Sequence, residues 1–185
     1  GVQSTSAMTG VINNQGAYFF LDTHVQDDPT AEQIAEATLQ ATYRLKLFGI
    51  EPKVALLSHS NFGSHDTPGA QKMRKVRELL KQRMPKLEVD GEMQGDTAWD
   101  EVLRKRMMPN TTLNGRANLF VLPNIDAANI TYNMVRVMTD GVAIGPILMG
   151  ISKPVHILTS SATPRRVVNM TAIAAVDAQI RAQQK

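Results

Sequence analysis

A loop at residues 58–64 carries side chains well suited to hold an anion. It reads Ser-His-Ser-Asn-Phe-Gly-Ser, follows a short apolar run, and offers as candidate ligands Ser58, Ser60, Asn61 and Ser64. Hydroxyls, an amide and a glycine between a strand and a helix suit phosphate or another oxyanion. The same residues also build an ordinary polar turn, and the loop lacks the G-x-x-x-x-G-K-S/T pattern of nucleotide phosphate loops.

Two later loops also join a strand to a helix. In the first, Asn124 and Asn129 can line a pocket, or they can serve only as capping and turn residues. The second leads into the first turn of a helix at Arg165 and Arg166, where a cation opposes the helix dipole at a typical cost of ~0.3–1 kcal/mol. The two arginines therefore indicate a bound anion or a carboxylate partner, unless they simply extend into solvent.

Composition excludes several kinds of site. The 185 residues include no cysteine, which excludes disulfides, thiolate metal sites and a cysteine nucleophile. The four histidines show no metal-ligand spacing, and His156 reads as a hydrogen-bonded histidine within a strand. The 20 Lys and Arg residues and the 17 Asp and Glu residues give a net charge of +3, which is too small to indicate nucleic-acid binding. No apolar run reaches the ~20 residues of a membrane span and no signal peptide is visible, so we expect a cytoplasmic location.

Strands and helices alternate along the chain. We predict a first helix that begins at a Thr30–Gln33 capping box and ends at Gly49. The other predicted helices span residues 70–83, 96–106 and 126–138 and the segment after Thr163. The cations of 70–83 should mostly face solvent, and Trp99 and Leu103 should face inward. The predicted strands are 17–21, 53–57, 87–89, 117–122 and 154–158, with residues 145–147 forming a turn. This alternation predicts an α/β fold with a mixed, largely parallel sheet flanked by helices.

Six segments in order resemble phosphotransacetylases: residues 28–36, 48–58, 89–94, 115–123, 129–130 and 143–150. The resemblance spans nearly the whole chain but corresponds to the second half of the family's domain. It implies the two-lobed architecture of isocitrate and isopropylmalate dehydrogenases, with residues 1–149 in the second lobe and 150–185 forming a return strand and helix of the first. It also implies a homodimer or higher homo-oligomer, with residues 130–138 as a candidate contact.

The family's late motif, Asn-Asp-Leu-Ser-Arg-Gly with an aspartate seven positions after the serine, is altered here. In the family, the Ser and Arg handle CoA and acetyl phosphate, and the Asp acts on the CoA thiol. The Ser position is Thr159, the Arg position is Ser160 and the Asp position is Arg166. A hydroxyl cannot replace a two-pronged guanidinium, and an arginine, which stays protonated throughout the physiological pH range, cannot act as a base. We therefore expect no catalytic residue and no metal ligand in this chain.

Residues 156–179 instead resemble the C-terminal end of large bacterial NADP-dependent malic enzymes. That resemblance implies a regulatory domain that senses acetyl-CoA as an allosteric inhibitor, behind an N-terminal malic enzyme domain that oxidatively decarboxylates malate to pyruvate and CO2. NADP and a divalent metal, Mg or Mn, would be bound by that domain, and no cofactor by this chain. Since the sequence begins with Gly1, we expect it to start inside a longer protein. The alternatives are a working phosphate acetyltransferase, which converts acetyl-CoA and phosphate to acetyl phosphate and CoA, and a purely structural dimerisation module.

Acetyl-CoA needs cations or helix N-termini for its phosphates and a narrow channel for its pantetheine arm. By resemblance, we expect Thr159 and Ser160 near the acyl or pantetheine end and Arg165 or Arg166 near phosphate. Arg136 is a weaker phosphate candidate, because the family's basic residue falls at Val137. The rest of the expected site is Ser58, Ser60, Asn61, Ser64, Asn124, Asn129, Gly145, Pro146, Ile147 and His156.

Overall fold

A six-stranded sheet lies at the centre of the computed structural model, which describes residues 4–160 and 162–183. The strands run in the order β4-β3-β5-β2-β1-β6. β1 is antiparallel to β2 and β6, and the pairs β2–β5, β3–β5 and β3–β4 are parallel, which confirms the predicted mixed α/β sheet. The strands are β1 Ser6–Asn13, β2 Gly16–Leu21, β3 Lys53–Leu57, β4 Glu88–Met93, β5 Leu119–Val121 and β6 Val142–Met149.

Helices cover both faces of the sheet. They are α1 Ala31–Leu47, α2 Pro68–Arg83, α3 Gly95–Trp99, α4 Glu101–Met107, α5 Ile125–Met138 and α6 Pro164–Gln183. One apolar core joins α1, α2 and Met170 of α6 to one face, and a second joins α3 and α5 to the other through Ala98 and Tyr132. At the β6 edge, therefore, α5 and α6 belong to opposite layers. In the described ranges no helix is long and apolar enough to cross a membrane.

Helix starts follow local sequence signals. Thr30 and Gln33 form the predicted capping box, in which Thr30 Oγ1 accepts from the Gln33 N–H at 3.3 Å and Gln33 Oε1 accepts from the Thr30 N–H at 2.8 Å. Thr67 caps α2, and Arg166 donates its N–H to the hydroxyl of Thr163, the predicted cap of α6. Each contact lies within one turn, so the sequence alone is enough to predict it.

The single helix predicted at 96–106 is two helices. The chain breaks at Asp100, whose carboxylate accepts the N–H groups of Val102 and Leu103 and so caps α4. The inward side chain of α4 is the fully buried Arg104, while Leu103 and Trp99 are only half-buried. The Arg104 guanidinium donates to main-chain carbonyls, including those of Thr97 and Leu113, and this is why a cation is tolerated there.

The cations of α2 are not simply a solvated face. Arg77 pairs with Asp90 at 2.9 Å and Arg74 pairs with Glu92 at 3.0 Å, and both carboxylates are fully buried on β4. Buried carboxylates require a cationic or hydrogen-bonding partner, and the neighbouring helix supplies it.

One strand prediction and one turn prediction in the C-terminal part of the chain are wrong. Residues 154–158 form no strand, because Pro154 lacks an N–H and a single backbone bond, from Ile157 to Pro146 at 3.4 Å, links the segment to β6. Conversely, the turn predicted at Gly145 and Pro146 lies within β6, where a register shift against β1 accommodates the proline. β1 was not predicted at all.

Candidate anion-binding site

A cleft of about 460 Å³ lies beside the β6 edge, between the C-terminal end of α5 and the N-terminal end of α6. Its lining residues include Arg136, Arg165 and Arg166, and the acidic residue Asp140. These three arginines are the phosphate candidates identified from the sequence, and the fold brings all three to one cleft. Three cations against one carboxylate, at a helix N-terminus, favour an anionic ligand.

Arg166 is held in place by the backbone of β6. Its Nε donates to the carbonyl of Gly145 at 2.9 Å. Gly145 has φ +105°, and a Cβ there would lie 2.8 Å from the carbonyl oxygen of Met8, so the position requires glycine. Gly145 therefore contributes to the site through its backbone. Ile147, also expected to line the site, is fully buried in the core.

Tyr132 lies close to two of the arginines and was missed by sequence reasoning. The residue is 3% exposed, and its hydroxyl has no hydrogen-bond partner among the described residues. The Arg136 guanidinium carbon lies 6.0 Å from the ring centroid. Burial raises the pKa of Tyr132, whereas the charges of Arg166 and Arg136 lower it. In the sequence, this tyrosine has the pattern of a core aromatic, and it does pack on Phe20.

His24 is a second residue that sequence reasoning missed. Its Nδ1 lies 2.7 Å from the hydroxyl of Thr23, which lies 2.6 Å from that of Thr9. Burial and the nearby charge of Arg166 lower the pKa of His24, while Asp22 raises it. A neutral imidazole therefore lies near Arg166 at neutral pH. The usable sequence signal was its position just beyond the carboxyl end of β2.

The loop at 58–64 uses its polar groups internally. Ser60 is fully buried and donates to Glu92 Oε1 at 2.7 Å, and the amide of Asn61 donates to Gln94. The hydroxyls of Ser58 and Ser64 accept backbone N–H groups of the same loop. A buried carboxylate beneath the loop disfavours an anion, and β3 lies four strand positions from β6, roughly 19 Å at ~4.8 Å per strand.

The two asparagines also have structural roles. Asn124 Oδ1 caps α5 by accepting the Ala127 N–H at 2.9 Å. Asn129 Nδ2 donates to the Thr23 carbonyl at 3.1 Å and so ties α5 to the segment that carries His24. The sequence left open whether these asparagines line a pocket or act only as capping and turn residues. Their contacts in the structure are those of a capping residue and a bracing residue.

His156 is not among the residues that line the arginine cleft. The prediction of a hydrogen-bonded histidine within a strand is wrong, because residues 154–158 form no strand and neither ring nitrogen has a hydrogen-bond partner among the described residues. Burial and the charge of Arg44 lower the pKa of His156, and Asp177 and Arg181 are also close. Thr159 and Ser160 are exposed in the turn before α6, where the Thr159 carbonyl accepts the Ala162 N–H. The next residue of the motif, Ser161, lies outside the described residues. No group of three or more potential metal-ligating side chains occurs in the described part of the chain.

Comparison with known proteins identifies a family and two kinds of relative. The model of the family "Phosphate acetyl/butaryl transferase" matches residues 1–175. The NADP-dependent malic enzyme of Escherichia coli K12 is 52% identical over 180 residues, which cover 97% of this chain and 24% of that protein. The NAD-dependent malic enzyme of Rhizobium meliloti is 54% identical over 177 residues, 96% of this chain and 23% of that protein. The phosphate acetyltransferase of Nitratidesulfovibrio vulgaris is 35% identical over 179 residues, 97% of this chain and 25% of that protein.

This chain thus spans about a quarter of the length of these relatives. Among solved structures, a phosphotransacetylase from Streptococcus pyogenes matches with a TM-score of 0.91 and 33% identity, and the match covers 96% of this chain and 55% of that one. The EutD phosphotransacetylase from Staphylococcus aureus matches with a TM-score of 0.89 and 32% identity over the same shares of the two chains.

Proposed function

Because this chain belongs to the phosphate acetyl/butaryl transferase family, we propose that it is a non-catalytic, acetyl-CoA-sensing part of a malic enzyme, and that the α5–α6 cleft holds the ligand's phosphates. The observation that carries the proposal is the convergence of Arg136, Arg165 and Arg166 on that cleft. The higher identity to malic enzymes, at 52% and 54%, than to a phosphate acetyltransferase, at 35%, supports the malic enzyme context.

The charges of the cleft match the phosphorylated end of acetyl-CoA. A diphosphate or phosphate monoester accepts hydrogen bonds from guanidinium groups in two-pronged geometry. The N-terminus of α6 adds the positive end of its helix dipole. Thr159 and Ser160, in the turn before α6, are then the candidates for the acyl or pantetheine end.

Loss of acetyl transfer is part of the proposal. Ser160 and Arg166 occupy the positions at which the resembling family has an arginine and an aspartate. In the structure, Arg166 directs Nε toward the Gly145 carbonyl, and an arginine offers no base for the CoA thiol. The second candidate, an active phosphate acetyltransferase, is favoured by the relatives of that name. It predicts acetyl phosphate formation from acetyl-CoA and phosphate by the full-length protein.

The remaining parts of the proposal concern the larger protein. Malate decarboxylation, NADP and the Mg or Mn ion would belong to an N-terminal malic enzyme domain in a cytoplasmic protein. Residues 150–183 would pack against a first lobe formed by preceding chain, since this chain matches 55% of the solved phosphotransacetylases.

Self-association is proposed through the outward face of α5. Ile130, Met134, Val137 and Met138 are 63%, 56%, 71% and 76% exposed, and their spacing places them on one helical stripe. The helix has no charged residue between Asp126 and Arg136. An uncharged apolar stripe of this kind is self-complementary and suits a two-fold contact with a second copy.

Calorimetry on the full-length protein tests the proposal. We expect acetyl-CoA to bind, and Arg166→Glu to weaken binding about 10- to 150-fold, the worth of one charge-assisted contact at ~1.5–3 kcal/mol. Arg106→Glu is the matched control, because Arg106 is an exposed residue of α4 and does not line the cleft. The same variants are assayed for acetyl-CoA inhibition of malate oxidation.

Each alternative has its own signature in these assays. A wild-type protein that releases no heat with acetyl-CoA is a structural module. Production of acetyl phosphate makes the protein a transferase. If Arg166→Glu and Arg165→Glu both bind acetyl-CoA like the wild type, the assignment of phosphate to this cleft is wrong.

A further inference from the structure

Arg136, which lines the cleft, and Tyr132, which lies beside it, carry buried polar groups without a hydrogen-bond partner in the part of the chain that the structure describes. The Tyr132 hydroxyl and the Nε of Arg136 are both buried, and neither has a hydrogen-bond partner within the described ranges. Buried polar groups in folded proteins are nearly always paired, so such an exception calls for an explanation. Arg136 lines the cleft directly, and its guanidinium carbon lies 6.0 Å from the centre of the Tyr132 ring.

Packing holds Tyr132 in position. The residue is 3% exposed, and its ring lies 6.1 Å from that of Phe20 on the central strand β2. The hydroxyl therefore cannot turn out to solvent without leaving the core. Arg166 follows β6 in the sequence, and its charge acts on the Tyr132 hydroxyl, as does the charge of Arg136. The phenol thus lies in the field of both cations.

We propose that Tyr132 is the neutral donor of the site, and that its hydroxyl donates to a phosphate oxygen held between Arg136 and Arg166. The inference rests on the proposed function and adds to it a residue outside the expected set. The Arg136 Nε can only donate, and the Tyr132 hydroxyl can donate as well, so a partner rich in acceptors satisfies both groups. A phosphate monoester or diphosphate supplies several acceptor oxygens and a compensating charge.

Neighbouring groups are compatible with this assignment. Burial and the charge of Arg166 lower the pKa of His24, which therefore adds no further positive charge at neutral pH. Asp140 is a carboxylate of the cleft lining and follows the end of α5, one turn beyond Arg136. It can restrain the adjoining arginine, but it leaves the hydroxyl of Tyr132 unpaired.

The test is Tyr132→Phe in the full-length protein, with two readouts expected to move in opposite directions. Without ligand, the melting temperature should stay the same or rise, because the variant removes an unpaired buried hydroxyl. The affinity for coenzyme A, measured by calorimetry, should fall about 10-fold or more, as for a hydrogen bond to a charged group. The control is Tyr43→Phe, an exposed tyrosine of α1 in the opposite layer from α5, which should keep wild-type affinity.

Inorganic pyrophosphate is the second probe, since it presents only the phosphate chemistry. Tyr132→Phe should weaken pyrophosphate as well, and so should Arg136→Lys, which keeps the charge but loses the Nε donor. The lysine variant also keeps the test decisive if the phenylalanine variant does not fold.

Three results would overturn the inference. They are a melting temperature that falls while affinity is unchanged, weaker binding of coenzyme A without any effect on pyrophosphate, and wild-type pyrophosphate affinity in Arg136→Lys. All three leave the proposed function standing, because the wild type still binds. Absence of coenzyme A binding by the wild type would instead refute the proposed function itself.

Discussion

Replacing Asp177 by asparagine should cost the chain much of its stability. Asp177 Oδ1 lies 2.6 Å from a terminal nitrogen of Arg44 and 3.1 Å from Nε of Arg181. The side chains of Asp177 and Arg44 are only 3% and 7% exposed. Because the amide carries no charge, Arg44 would remain as an uncompensated buried cation. Breaking a buried pair in this way costs about 3–5 kcal/mol, whereas an exposed pair contributes ~0–1 kcal/mol.

Stability should also respond to pH in a defined direction. Burial raises the pKa of Asp177, but the hydrogen bonds from Arg44 and Arg181 outweigh it and hold the pKa below its ordinary value. A carboxylate with a depressed folded pKa stabilises the protein fully above its unfolded pKa, ~3.9, and loses that contribution as the pH falls through the folded pKa. The wild type should therefore lose stability below about pH 4 in a step that Asp177→Asn lacks.

Thermal unfolding measures the effect. At ~2–4 °C per kcal/mol for a chain of this size, Asp177→Asn should melt about 6–20 °C below the wild type. The control, Glu78→Gln, breaks the exposed Lys75–Glu78 pair, with its atoms 3.7 Å apart, and should shift melting by no more than ~2–4 °C. A loss below about 1 kcal/mol for Asp177→Asn, or an unaltered acid step, would refute the idea that this pair fastens α6 to α1.

Two further predictions concern β6 and α5. Gly145→Ala should lower the denaturant midpoint and weaken coenzyme A binding, since its Cβ would lie 2.8 Å from the Met8 carbonyl and displace the carbonyl that orients Arg166. Gly69→Ala is the control and should change neither quantity, because no atom lies within 4 Å of its added Cβ. Equal effects of the two variants would contradict the argument. Met138→Glu should convert a dimer to a monomer in light scattering at micromolar concentration, because it places a charge in an apolar contact. A wild type that is already monomeric there removes the basis of this prediction.

The helices were predictable because their signals are local. The capping box of Thr30 and Gln33 and the cap at Thr163 act within one turn, so the sequence contains the whole interaction. The exception, Asp100, follows the same rule, since an aspartate inside a helical pattern is also a good cap. The sequence therefore allowed a helix break at Asp100, but the helical periodicity of residues 96–106 favoured a single helix.

The strands were harder, since pairing partners lie far apart in sequence. β1 pairs with β6, so Ser6 aligns with Met149, and nothing near Ser6 indicates this. Gly145 and Pro146 are strong turn residues, but a bulge opposite Met8 and Gly10 lets them lie in a strand. Local breakers therefore misled the prediction where a distant strand determined the conformation.

The candidate site residues also divide into those with a local sequence signal and those that depend on distant parts of the chain. Arg165 and Arg166 were identified because two cations in the first turn of a helix are locally unfavourable, and this conflict is visible in the sequence. Ser60 was misleading because its partner, Glu92, lies 32 residues away and turns a candidate ligand into part of a buried network. Tyr132 lacked a local signal, and the signal for His24 was limited to its position just beyond β2. Each looks ordinary until the fold places it near Arg166.

The position of the cleft follows from the topology. Arg136 ends α5, which packs on one face of the sheet, and Arg166 begins α6, which packs on the other. Side chains from opposite layers can meet only around an edge strand, and β6 is the edge strand that lies between these helices in sequence and in space. The backbone of β6 takes part through the Gly145 carbonyl, which restrains Arg166. A ligand bound there would contact both layers at once, so its binding should fasten α5 to α6 and transmit to whatever chain packs on either helix.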